Sequence, residues 1–124
     1  MTGRFLIDTD VLIEYLRGRD RVATLLEGLK GELMISAISV AELFSGVRGS
    51  EEMEALDQFM LAFQVLPIDD RLARQGGLIR QAYHPSHGIG LADALIAATA
   101  LDQAAQLVTF NRRHYPMVED ISQP

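Results

Sequence analysis

Cysteine is absent from the 124 residues. That excludes a disulfide framework and a thiolate metal site, and it fits a reducing compartment. Lysine is nearly absent as well: Lys30 stands alone, and the other ten basic residues are arginine. No apolar run approaches the ~20 residues that a membrane span requires. The opening "MTGRFLIDTD" has neither a long apolar segment nor a small-residue cleavage site, so no secretory leader is expected. An excess of positive charge is missing too. Eleven basic against 17 acidic residues leave a net charge of −6, which argues against a protein that grips nucleic acid by bulk attraction. The expectation is a cytoplasmic globular protein with no membrane contact.

What is present suits one domain over residues 1–124, with 48% hydrophobic and 23% charged residues and no low-complexity stretch. "RFLI" (4–7) reads as a buried strand, and "DTDVLIEYLRG" as a helix ending at Gly18. "DRVATLLEGLKG" predicts a second helix, "ELMISAI" (32–38) a second strand, and "SVAELFSGVRG" a helix from Ser39 onward. "EEMEALDQFMLAF" is amphipathic, with Met53, Leu56, Met60 and Phe63 in 3-4-3 spacing. "VLPI" (65–68) suits a short strand. "DDRLARQGGLIRQAY" suits a helix weakened by Gly76 and Gly77, and "HPSHGIG" a loop. In "IGLADALIAATALDQ" (89–103), Leu91, Leu95, Ala98 and Leu101 mark a buried helical face, and Asp93 sits in the first turn. The strand "QLVTF" (106–110) and a last strand near "MVEDI" complete the chain. Alternation of this kind predicts an α/β fold with a mostly parallel sheet covered on both faces. Its site should lie at the carboxyl ends of the strands.

Acids gather at that predicted edge. Asp8 ends the first strand, Glu42 falls in the first turn of the helix after the second, Asp93 heads its own helix, and Asn111 follows "LVTF". Each has a structural explanation. Asp8 suits a helix cap, Ser39 and Glu42 form an S-x-x-E capping box, Asp93 serves a helix dipole, and Asn111 opens a turn. Together, three carboxylates on one edge repel unless a cation joins them. Hard oxygen donors without cysteine or paired histidines point to Mg²⁺, with Mn²⁺ as a substitute. Such an ion activates water and polarises a phosphoryl group, which is phosphodiester chemistry. Arginine suits bidentate contact with phosphate, and Arg17, Arg112 and Arg113 are candidate RNA contacts. Solvated charge explains each of them equally well. His84 and His87 in "HPSHG" read as loop residues, and Tyr15, Phe44, Tyr83 and Tyr115 as half-buried aromatics able to stack on bases.

"FLIDTDVLIEYL", "ISAISVAELFSGV", "LADALIAATAL" and "LVTFNRRHY" resemble, in order and spacing, the PIN-domain nucleases. Within that family the chain is most similar to VapC-type toxins of toxin–antitoxin pairs. The resemblance covers nearly the whole chain. It implies a three-layer α/β/α sandwich and a Mg²⁺-dependent endoribonuclease cutting structured RNA, often transfer RNA. It also implies a homodimer, or a higher toxin–antitoxin assembly, held inactive by a VapB-like antitoxin. By position, Asp8, Glu42 and Asp93 match the three acidic metal ligands, and Thr9 and Thr109 match supporting hydroxyls. An antitoxin would lie along Leu12, Tyr15, Leu16 and Phe44.

Two positions depart from the family pattern. Asp10 stands where Asn or Ser is common, adding charge near the site or a second helix cap. Asn111 stands where many PIN domains carry a fourth Asp, so it supports catalysis without adding charge, and a second metal is in doubt. Two other classes compete. Strand-D-x-D also opens haloacid-dehalogenase-like phosphatases, with Asp8 as nucleophile, but Leu12 and the early Lys30 fit that pattern poorly. A PIN fold that binds RNA or a partner without cutting would have lost an acid, and all three are present.

Overall fold

A computed structural model of the chain describes residues 3–124; Met1 and Thr2, the start of the stretch read for a leader, lie outside the described residues. Strand β1 (Gly3–Ile7) leads into α1 (Thr9–Leu16) and α2 (Asp20–Gly28). β2 (Gly31–Ser36) then leads into α3 (Ala37–Ser45) and α4 (Gly49–Met60). β3 (Gln64–Leu66) is followed by α5 (Asp70–His87) and α6 (Leu91–Gln103). β4 (Gln106–Val108), a 3₁₀ turn (Arg112–His114) and β5 (Ile121–Ser122) close the chain. The five strands lie in the order β3-β2-β1-β4-β5, and every pairing is parallel.

The two faces of that sheet carry different cores, as a side-chain period of two dictates. Leu6, Met34 and Leu107 point into one, with Ile96, Ala97 and Ala100 of α6. Their neighbours Ile7, Ile35 and Val108 point into the other, with Val11 and Leu12 of α1, Leu26 of α2 and Leu56 of α4. The result is the expected three-layer sandwich.

Several boundaries differ from the sequence reading. β2 stops at Ser36, whose hydroxyl accepts the Ile38 N–H and caps α3. The S-x-x-E pair is therefore not a capping box, since Ser39 is buried inside the helix. Glu42 falls in the second turn of α3 rather than the first. α5 runs through "HPSH", and Pro85 in its last turn forfeits one helical hydrogen bond without ending the helix. Gly88, at φ +67°, then ends the helix in the left-handed conformation. His84 is spent on the Ile89 carbonyl (2.8 Å) and His87 on the Ser86 hydroxyl (2.7 Å).

The buried face of α6 also differs. Ala94 and Ile96 through Ala100 are buried, whereas Leu91 and Leu101 are exposed. This helix is wedged between the sheet and α5, so small side chains mark its contacts. Gly76 shows how tight the wedge is: a Cβ there would sit 2.5 Å from Leu95 Cδ2 and 3.2 Å from Leu95 Cα. Gly76 is a close-approach point before it is a weakness, whereas a side chain at Gly77 would meet open space.

Candidate active site

Strand order decides where the site can form. Connections leave β1 and β4 toward opposite sides of the sheet, and the carboxyl ends of those adjacent strands open a crevice. Asp8 follows β1, and Thr109 to Asn111 follow β4. α6 returns antiparallel to the strand it feeds, which brings Asp93 in its first turn to the same edge.

Asp8 is the most constrained acid there, at 4% exposure. One oxygen accepts the Thr9 N–H at 2.8 Å and so caps α1. The other accepts the Thr109 hydroxyl at 2.7 Å and the Tyr115 hydroxyl at 2.9 Å. Burial and then the Asp10 charge push its carboxyl up to about 7, against the pull of those two hydroxyls. Burial, then the charge of Asp8, raises the Tyr115 hydroxyl far above the ordinary phenol range, which keeps it a donor. Tyr115 is fully buried and stacks on no base. Sequence reasoning passed over its part in the site.

Asp10 lies in the first turn of α1. Its Oδ2 accepts the Phe110 N–H at 3.1 Å, while its Oδ1 is buried without a partner among the described residues. Burial raises its pKa most, the Phe110 and Val11 main-chain N–H groups pull it back, and Asp93 raises it further. Asp93 Oδ2 lies 3.0 Å from His114 Nδ1. A carboxylate has no proton to give, so that nitrogen carries one. The Asn111 amide atom 3.2 Å from the same nitrogen then pairs best as the carbonyl oxygen, with the amide turned over. Asn111 thus meets His114, and His114 meets Asp93.

Glu42 joins from the α3 side. Thr9 Oγ1 lies 2.8 Å from both Glu42 Oε1 and Ser39 Oγ. By the same proton count the Thr9 hydroxyl donates to Glu42 and accepts from Ser39. Ser39 is a second residue that sequence reasoning missed, because it was read as a cap. The predicted supporting hydroxyls of Thr9 and Thr109 are therefore both in contact with acids.

This donor set is all hard oxygen. The orphaned Oδ1 of Asp10, beside two further carboxylates, fits a cation. No three His, Asp or Glu side chains among the described residues close around one ion.

A family model described as the PIN domain matches residues 5–118. The chain belongs to the PIN-domain family. Two curated relatives of this PIN domain come from Mycobacterium tuberculosis (strain ATCC 25618 / H37Rv). Ribonuclease VapC10 is 42% identical over 96% of this chain and 91% of its own length. Ribonuclease VapC19 is 41% identical, over 96% of this chain and 98% of its own. A solved toxin–antitoxin complex from Klebsiella pneumoniae superposes with a TM-score of 0.81 at 25% identity, covering 94% of each chain. The expected likeness to VapC-type toxins holds. The phosphatase alternative is not the family that matches, since the family model over residues 5–118 is that of the PIN domain.

The residues expected to face a partner need one correction. Leu12 is fully buried in the α1 core and cannot touch another chain. Tyr15 is half-buried, stacked on Phe59 with centroids 5.3 Å apart, and Phe44 packs against the same core. Leu16 is open at 48% exposure, and its neighbour Ile13 joins it. Both line a groove of about 510 Å³ between α1, α3 and α4, together with Leu43, Val47 and Glu42. Arg17 is exposed and paired with Glu14 at 3.0 Å. Arg112 and Arg113 are exposed on the 3₁₀ turn just past Asn111. No helix among the described residues is long and apolar enough to cross a membrane.

Proposed function

We propose that this PIN domain is a metal-dependent endoribonuclease, the toxin of a toxin–antitoxin pair, hydrolysing phosphodiester bonds in structured RNA such as transfer RNA. The observation that carries the reading is the convergence of Asp8, Asp10 and Asp93 at the β1/β4 crevice, with Glu42 tethered beside them. Such an arrangement brings together like charges whose repulsion a cation would relieve. Mg²⁺, or Mn²⁺ in its place, would be held by Asp8, Glu42 and Asp93, and would supply water activation and charge neutralisation at the scissile phosphate.

The chain's own residues do the rest. Thr109 and Tyr115 fix the Asp8 carboxylate, so it costs no reorganisation at the moment of reaction. Thr9 holds Glu42, and His114 with Asn111 holds Asp93. Arg112 and Arg113 stand close in the chain to Asn111, where cations would steer an RNA backbone toward a protein of net negative charge. Relatives named as ribonucleases support this reading.

The partner is a VapB-like antitoxin. An acidic crevice without an ion receives a guanidinium, and the adjoining α1/α3/α4 groove receives apolar anchors at Ile13 and Leu16. The Klebsiella pneumoniae structure is itself a toxin–antitoxin complex, which supports such an assembly. The reading implies a cytoplasmic protein, assembled as a homodimer. The deciding experiment is brief expression of this chain and of Asp8→Asn in cells, followed by sequencing of RNA ends. New ends that appear only with the native chain and map to a structured RNA support the activity. An identical pattern from both overturns it. For the antitoxin, raising Mg²⁺ should weaken binding of its tail peptide, and inhibition indifferent to Mg²⁺ would place the block elsewhere.

A further inference from the structure

We propose that Asp10, and not Asn111, supplies a side-chain oxygen to the divalent ion, with Asn111 acting as a positioning residue through His114. This rests on reading the crevice as a metal centre, and it names a ligand where the departures from the family pattern leave the fourth position open.

Geometry separates the two residues. Asp10 projects from the first turn of α1, two residues beyond Asp8. Its Oδ2 is held by the Phe110 N–H at 3.1 Å. The Thr109 hydroxyl, 3.5 Å away, gives its single proton to Asp8 at 2.7 Å, so it is not a donor to Asp10. Oδ1 is thus a buried carboxylate oxygen with no hydrogen-bond partner among the described residues. An unpaired buried charge is among the costliest features a fold can retain.

Neither structural role explains it. Asp8 already caps α1, and the Phe110 tether needs one acceptor oxygen, which an asparagine supplies without a charge. A second, unused oxygen beside Asp8 and Asp93 is where a cation would find a ligand.

Asn111 is placed otherwise. Its main-chain N–H is bound to Thr109 Oγ1 at 3.0 Å, and its side chain is bound to the His114 ring, which in turn meets Asp93. Its amide is engaged and neutral. The negative charge that the β4 side lacks at position 111 is therefore supplied from the α1 side at position 10.

The test titrates MnCl₂ alone into the metal-free full chain by calorimetry, comparing the native protein with Asp10→Asn and Asn111→Ala. Melting temperatures are recorded without metal. Asp10→Asn keeps an acceptor for Phe110. It should weaken Mn²⁺ binding by about tenfold or more while the metal-free melting temperature stays level or rises. Asn111→Ala, which acts on Asp93 only through His114, should weaken binding by less than Asp10→Asn does. If Asp10→Asn binds Mn²⁺ as the native chain does and Asn111→Ala does not, Asn111 is the ligand and the proposal is wrong while the metal centre stands. A lowered metal-free melting temperature in Asp10→Asn would make Asp10 a structural tether and overturn the proposal. A native chain that binds no Mn²⁺ would remove the metal centre itself, and this assignment with it.

Discussion

Asp8 and Glu42 sit on the same acidic edge under opposite conditions. Asp8 is buried and accepts three hydrogen bonds, from the Thr9 N–H and the Thr109 and Tyr115 hydroxyls. Glu42 is exposed on the second turn of α3, and its carboxylate is held by one hydroxyl, that of Thr9. One charge is fixed before anything binds, and the other is free to adjust. The difference shows how a crevice can be both preorganised and able to admit an ion. Rigid placement lowers the cost of organising the reaction, whereas a solvated carboxylate moves at little cost.

If that contrast is right, Asp8→Asn has the larger consequence of the two. RNA cleavage should fall at least about 10²-fold, measured on a defined RNA in Mg²⁺, with a native fold by circular dichroism. Next comes Tyr115→Phe, which removes a buried donor from a buried acid. We expect a loss of about 1–3 kcal/mol in denaturant unfolding. Glu42→Gln should change stability by less than about 0.5 kcal/mol. Comparable losses from the two would erase the distinction between the fixed and the adjustable acid.

A smaller effect follows from pH. The folded Asp8 carboxyl lies at about 7 and the unfolded one near 3.8. Between those values the folded, metal-free chain binds the proton more tightly than the unfolded chain. Its stability therefore falls as pH rises from about 4 to about 7, and it is regained as pH drops. Asp10, also raised, acts in the same direction. Denaturant titrations in EDTA should show this slope, and it should shrink in Asp8→Asn and on adding Mg²⁺. A native slope no different from that of Asp8→Asn would contradict the assignment.

The contrast also explains what could be read in the sequence. Asp8 and Asp93 were legible because strand-then-acid and acid-at-helix-head are local patterns, and a parallel sheet brings both to one edge. Tyr115 was not: it reaches Asp8 across 107 positions, out of a polar "NRRHY" stretch that reads as surface. The α3 boundary failed because "SAISVAE" offers two serines three residues apart, and only burial shows that Ser36 is the cap. In α6 the predicted stripe was half right: Ala98 is buried and Leu95 packs on Gly76, whereas Leu91 and Leu101 near the helix ends are exposed and alanines fill the rest of the buried face. Leu12 failed as a partner contact for a related reason, because periodicity cannot tell which apolar stripe the sheet will cover.

The central claim is that these acids serve chemistry more than stability, and Asp93→Asn tests it most directly. Asp93 is half-buried, and its contact is His114 at 3.0 Å, so the substitution removes charge with little loss of packing. The measurement is the rate of RNA cleavage in Mg²⁺ by the purified, folded variant. The account predicts that cleavage is abolished; a folded Asp93→Asn protein that cuts at the native rate, once contaminating nuclease is excluded, would contradict it.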